Sequence, residues 1–268
     1  MKLMYEPRFR CSSSGVPIMS NDEIDFYAEQ FIHDYDADIL KNPREVDIEG
    51  FAEFYLGLTP EYNYLTHCGL ILGRMVFNNS DKIPIYDAEN KRAEYIPAKR
   101  GTVMLDNTLL EEEHRFRSTM GHESGHWIFH QSYFYVDPYQ MTLFDLSDKI
   151  STACRKQDIE GGNGSSKKSL SSDHDWLEHQ AKYFSASILM PKEAMKLVCN
   201  EEKSHSYFHG QFPQYEEKLL ANRVSEIFNV SFESAMIRIK QLGLGFNEQI
   251  KSSHTFFTIG CPDKLSTL

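Results

Sequence analysis

Long apolar runs are missing from this chain. The longest, around Gly69–Val76 and Ala186–Met190, fall far short of the roughly 20 residues that a helix needs to span a bilayer. The N-terminal stretch MKLMYEPRFRCSSSG carries charges where a secretion signal would place its apolar segment. Paired cysteines are missing too. Cys11, Cys68, Cys154, Cys199 and Cys261 are odd in number, widely scattered, and never form a C-x-x-C pair. That pattern excludes a disulfide framework and a zinc ribbon, and it points to a reducing, cytoplasmic setting. An excess of positive charge is also lacking: Lys+Arg 28 against Asp+Glu 39 leaves the chain at −11. A sequence-independent nucleic-acid binder needs a basic footprint, and so does a protein held on an anionic membrane.

What is present is core material. With 268 residues, 41% apolar and 13% aromatic, the chain can bury one large domain, or two small ones sharing a core. Residues 1–19 read as an irregular lead-in. Ser20 or Asn21 can cap a helix that carries Ile24, Tyr27, Ala28, Phe31, Ile32 and Tyr35 at helical spacing. A second helix is expected from Asp47 through Leu56, stopped by Gly57. From Pro60 the pattern turns extended, with a strand pair around Leu70–Phe77 marked by turn signals at Asn78-Asn79 and Pro84. Two short strands are expected within 93–106, around the Lys99-Arg100-Gly101 turn.

Helices follow at Ser118–Gln131, at Trp176–Met190 with Pro191 as the stop, and as a pair within 215–242. Residues 155–175 include GGNGSSKKSLSSDHD, which has almost nothing to bury and predicts a mobile surface loop. No internal repeat is visible. Helices and short strands do not alternate regularly, so the expected class is α+β with a small mixed sheet. The chain divides into an N-terminal helical and strand region at 1–92, packed on a core at 93–245, and a tail at 246–268.

The chemistry is concentrated in His122-Glu123-Ser124-Gly125-His126. On a helix, positions i and i+4 share a face one turn apart, so two imidazoles can reach one ion. Glu123 lies beside that face, able to touch a water near the ion without ligating it. Two imidazoles, one carboxylate and an open position suit zinc. Chance alone yields H-E-x-x-H in roughly 4% of chains of this composition, so the motif needs independent support. Gly125 supplies some, because a mid-helix glycine costs about 1 kcal/mol relative to alanine and calls for a close neighbour. His130 continues the series but lies about 12 Å from His122 along the axis. It is expected to pack, or to support a ligand from behind.

The third ligand must come from elsewhere, and Glu178 is the best candidate. It lies one step off the buried stripe Leu177, Ala181, Phe184 and Ile188, above the small residues Ala181 and Ser185. Small side chains there would let this helix approach the His122/His126 helix closely. Spacing equally allows Asp175-x-x-Glu178 to be only a capping box. His174 and His179 are rival ligands.

The HExxH helix followed by Glu178, Gln180, Ala181, Phe184, Ala186, Leu189, Met190 and Pro191 resembles the ImmA/IrrE family of zinc metallopeptidases. That family reads E-x-Q-A-N-x-F-A-x-x-L-L-M-P after its own H-E-x-G-H. Val224, Phe228, Val230, Ser231, Ala235, Arg238, Ile239, Leu242 and Gly243 extend the likeness, which covers residues 95–245. The resemblance implies a zincin-like metallopeptidase core with an HExxH active-site helix. It also implies Zn²⁺ held by His122, His126 and Glu178, with Glu123 as the general base. The activity implied is zinc-dependent hydrolysis of a peptide bond in a specific cytoplasmic protein, such as a helix-turn-helix repressor. A strand such as 101–106 would hold the extended substrate beside the metal. Ser118, Gly121, Ser124 and Lys182 depart from the family pattern and alter packing rather than metal chemistry. Free hydrolytic zinc in a cytoplasm needs restraint, so low basal activity and a narrow substrate range are expected.

Two other readings exist. Residues 221–243 also look like a helix-turn-helix that could serve a DNA-binding regulator. Its second helix opens with Glu233 and offers only Arg238 and Lys240 to phosphates, so direct nucleic-acid binding is disfavoured. The bland alternative buries Ile227, Phe228, Met236, Ile237 and Ile239 under the core. A proteolytically silent interaction protein with structural zinc is the third reading. It leaves Glu123 without a use, and structural sites usually close with a fourth protein ligand.

Overall fold

The computed structural model describes residues 5–136, 149–160, 170–205 and 211–246. The expected tail and the middle of the expected 155–175 loop lie outside the described residues. Helix α1 spans Asn21–Asp36. Ser20 caps it reciprocally with Glu23: the Ser20 hydroxyl accepts from the Glu23 amide, and the Glu23 carboxylate accepts from the Ser20 amide. Its buried face carries Ile24, Ala28, Phe31 and Ile32, as the spacing predicts. The second helical segment runs from Ile48 to Tyr55, as an α turn continued by a π turn. Asp47 caps it, and Gly57 takes a left-handed φ of +70° just beyond its end.

Among the described residues six strands follow: β1 (Thr59–Asn63), β2 (Ile71–Met75), β3 (Ser80–Asp87), β4 (Arg92–Ala98), β5 (Thr102–Asp106) and β6 (Cys154–Arg155). The main sheet has the order β1-β5-β2-β6, with β1 parallel to β5 and the other two pairings antiparallel. Strands from both sides of residue 93 therefore share one sheet. Strands β3 and β4 form a separate hairpin. The extended segments around 70–77 and 80–87 are thus consecutive but not partners, because β2 pairs with β5. Pro84 lies inside β3 rather than at a turn, which a two-stranded ribbon tolerates because each strand has a free edge.

The 101–106 segment is also not an open edge. All five residues of β5 are buried, with β1 on one side and β2 on the other. It has no free row of backbone groups to offer a substrate, so that expectation is corrected.

The remaining long helices are α2 (Glu113–Phe129), α3 (Asp173–Leu189), α4 (Lys192–His205), α5 (Pro213–Phe228) and α6 (Phe232–Gln241). Helix α4 has no counterpart among the sequence expectations, which treat Pro191 only as a stop. Pro191 in fact opens the next helix, its carbonyl accepting from the Met195 amide. The buried set Ala194, Met195, Val198 and Cys199 is the amphipathic signal that marks it. A short helix at Lys156–Glu160 also occupies the start of the expected loop.

Helices α5 and α6 pack under the core through Phe228 and Ile239, while Ile227 and Met236 are half-buried and Ile237 is exposed. Arg238 is fully buried. Its guanidinium donates to the Asp25 carboxylate at 2.6 Å and to the Met190 carbonyl at 3.2 Å. Asp25 also accepts from the hydroxyls of Ser187 and Tyr183. One buried carboxylate thus ties α1, α3 and α6 together, and Arg238 has no path to a phosphate.

Removing Asp25 leaves a buried guanidinium unpaired. Asp25→Ala should lower unfolding free energy by about 3–5 kcal/mol, measured by urea denaturation; a loss below about 1 kcal/mol would contradict this account.

Candidate metal centre

Helix α2 carries the H-E-x-x-H motif through a fully buried stretch from Thr119 to His126. It lies so close to α3 that any side chain beyond glycine would crowd the contact. A β-carbon on Gly125 would stand 3.0 Å from Phe184 Cδ1 and 3.2 Å from Ala181 Cα. One on Gly121 would stand 2.8 Å from Ser185 Oγ. The Ser185 hydroxyl in turn donates to the Ser118 carbonyl at 2.8 Å. Small residues on both helices let the backbones approach, so Glu178, one turn before Ala181 and two before Ser185 on α3, arrives opposite the imidazoles.

The structure brings His122, His126 and Glu178 together, with one ligand atom from each within 4.8 Å of the others. His122 Nε2 and His126 Nε2 face each other at 3.0 Å. Glu178 meets them at 3.2 Å and 3.4 Å. The histidines are fully buried and the Glu178 side chain is 14% exposed. Glu178 belongs to no capping box, because Ser172 caps α3 and Asp175 is itself the reciprocal partner. The rival histidines lie off the cluster. His179 reaches Asn21 on α1, and His174 is exposed, 3.9 Å from Glu178.

A hydrogen-bond chain behind His126 sets its proton. The Gln180 amide nitrogen donates to the Pro17 carbonyl at 2.7 Å, so the Gln180 oxygen must accept from His130 Nε2 at 3.1 Å. His130 Nδ1 is then an acceptor and receives the proton of His126 Nδ1 at 2.8 Å. His126 Nε2 is left with a lone pair aimed at His122 and Glu178. Two imidazole nitrogens 3.0 Å apart beside a carboxylate form a donor set that could hold a metal ion. Glu178 Oε2 is buried against His122 Nε2, so this carboxylate lies in the cluster with both imidazoles.

With no ion between them, the groups of the cluster act on one another. Burial would pull His122 down, but Cys154 and Glu178 beside it hold it well above the ordinary imidazole range. Burial and the neighbouring His126 push His130 far below that range, consistent with the neutral ring the chain requires. Burial would raise Glu178, yet His126 and His122 hold it well below the usual carboxylate range.

Glu123 is fully buried beside the ligands, and burial raises its carboxyl despite the two histidines. One of its oxygens accepts from the Thr152 hydroxyl at 3.0 Å, while the other has no partner. Gly73 of β2 makes room for it: a β-carbon there would stand 2.7 Å from Glu123 Oε1. Three further residues surround Glu123 that spacing did not single out. They are Arg74, whose charge acts on Glu123, Thr152, and Cys154, which clusters with His122 and Glu123. No sequence signal marks them, since β2 and the 150–155 segment meet α2 only through tertiary folding.

No family model matches this chain, and no curated protein matches it.

The helix contact makes a sharp prediction. Gly125→Ala gains about 1 kcal/mol of helix propensity but should be destabilising overall by about 1–3 kcal/mol through overpacking. Chemical denaturation measures it, and an unchanged or raised midpoint would show that α2 and α3 can separate freely.

Proposed function

We propose that this chain is a zinc-dependent endopeptidase with a zincin-like core, similar in its site residues to the ImmA/IrrE metallopeptidases. One observation carries the reading. Two facing imidazole nitrogens and the Glu178 carboxylate converge at 3.0–3.4 Å, with a second carboxylate, Glu123, alongside but outside the set. The donor set suits zinc and retains an open position. His122, His126 and Glu178 would hold the ion. When bound, the ion supplies Lewis acidity, polarising a scissile carbonyl and making a nearby water easier to deprotonate.

The chain's own residues do the rest. Glu123 Oε1, without a partner, takes the proton of the attacking water and returns it to the leaving amine nitrogen. Thr152 orients the Glu123 carboxylate, and burial keeps it a stronger base than an exposed one. His130 and Gln180 hold His126 in its ligating tautomer. The substrate class is a specific protein, with a helix-turn-helix repressor in a cytoplasm as the working candidate. No helix among the described residues is long and apolar enough to cross a membrane. The DNA-binding reading loses its main cation, because Arg238 is buried on Asp25.

Elemental analysis tests the site directly. Wild type should carry about one zinc per chain, and Glu178→Ala should lose most of it. Zinc retained in that variant would remove Glu178 from the ligand set, and no zinc in wild type would end the metallopeptidase reading. Glu123→Gln should keep its zinc while losing about 10²–10⁴-fold in peptide hydrolysis; hydrolysis within a few-fold of wild type would exclude it as the base.

A further inference from the structure

Helix α2 presents Arg115, Ser118, His122 and His126 in one column, and α3 presents Glu178, Lys182, Ser185 and Leu189 in another. The helices run in opposite directions where they touch, because Gly125 meets Ala181 while Gly121, one turn earlier, meets Ser185, one turn later. The two columns therefore lie side by side, with the His122/His126/Glu178 cluster at one end. Ser118 is one turn from His122, and Lys182 is one turn from Glu178. Both line a cavity of about 230 Å³ between α3 and α6. Its walls carry the apolar side chains of Ile159, Ala186, Leu189 and Ile237. A wider recess shares Ser118, Ile159 and Ile237 with it and continues to Arg115. Glu178 is the member of the cluster whose side chain keeps some exposure, and it stands at the head of the α3 column.

The size of the cavity suits a single side chain. An apolar cavity of roughly 150 Å³ takes up benzene, whereas sites for whole small ligands begin at about 300 Å³. Its place suits a substrate held at the cluster. Along the α3 axis, Lys182 lies about 6 Å and Ala186 about 12 Å from Glu178, a span that an extended chain covers in about two to four residues. We propose that this cavity is the specificity pocket of the site, receiving a bulky aliphatic or aromatic side chain of the protein substrate about two to four residues from the scissile bond. The proposal rests on the metallopeptidase reading and names the substrate feature that selects the cleaved bond. Glycine at that substrate position leaves the apolar walls uncovered, and a charged side chain loses its water against them.

Occupation of the pocket is read first on the metal-free, full-length protein. N-acetylphenylalaninamide and N-acetylleucinamide should shift the methyl resonances of Ile159, Leu189 and Ile237 saturably, and N-acetylglycinamide should not. Ala186→Phe fills the cavity and should abolish the shifts. Ile237 sits exposed at the rim, so Ile237→Ala serves if the bulkier variant does not fold. It should weaken binding by roughly fourfold or more, the worth of one lost methylene contact. The second measurement gives the zinc-loaded protein a peptide mixture from a proteome digest and maps the cleaved bonds by mass spectrometry. A bulky apolar residue should be enriched at one fixed position about two to four residues from the cleaved bond, and Ala186→Phe should reduce that enrichment by about tenfold or more. Absent methyl shifts, no cleavage across the mixture, or an enrichment that neither variant changes each overturns the proposal. The zinc content of wild type decides the metal centre separately, and its failure removes both readings.

Discussion

Close approach of two helix backbones is the constraint on which the rest of this structure depends. Helices α2 and α3 touch where Gly121 and Gly125 meet Ala181, Phe184 and Ser185, so closely that a β-carbon at either glycine would crowd its neighbours. The contact places the two imidazoles of one helix within 3.4 Å of a carboxylate on the other. A separation larger by one side chain would leave His122 and His126 buried with no partner for their lone pairs. Burying such groups unpaired is costly, so the pairing of these polar groups and the packing of the two helices are two aspects of one contact.

Around that contact, polar groups are satisfied in layers. Gln180, His130 and His126 form a relay from the Pro17 carbonyl to the His122/His126/Glu178 cluster. On the other side, Thr152 holds Glu123 and simultaneously accepts from the Met75 amide, so the Glu123 carboxylate is tied to β2 of the sheet. The lead-in segment and the 150–155 strand, remote in sequence, thereby become parts of one site. The Asp25–Arg238 pair plays a comparable part deeper in the fold, fastening α6 to the helix that bears Glu178.

Much of this was legible in the residues themselves. The caps of α1 and the segment after Asp47, the helical spacing of α3, and the i, i+4 placement of His122 and His126 are local facts. They depend on neighbours within a turn or two, where periodicity and capping operate. Glu178 was legible only as one of several candidates, because its competitor reading as a capping partner used the same spacing. The actual helix start at Asp173 decided between them, since Asp175 already answers Ser172. Helix α4 was missed because a proline that ends one helix can begin the next, and local sequence does not say which.

What the sequence by itself determined is the inventory: an α+β chain with two imidazoles on one helical face, a flanking glutamate, and a small-residue patch on a later helix. Tertiary structure alone decided which groups meet. It buried β5 between two neighbours, so the expected substrate strand is not an edge, and it laid residues 150–155 along β2 instead. It brought Arg74, Thr152 and Cys154 to Glu123, and it turned Arg238 inward onto Asp25. The physical reason is common to all of these. Periodicity records which face of an element is apolar, whereas strand order and long-range polar pairing depend on how many buried groups must be satisfied at once across the whole fold.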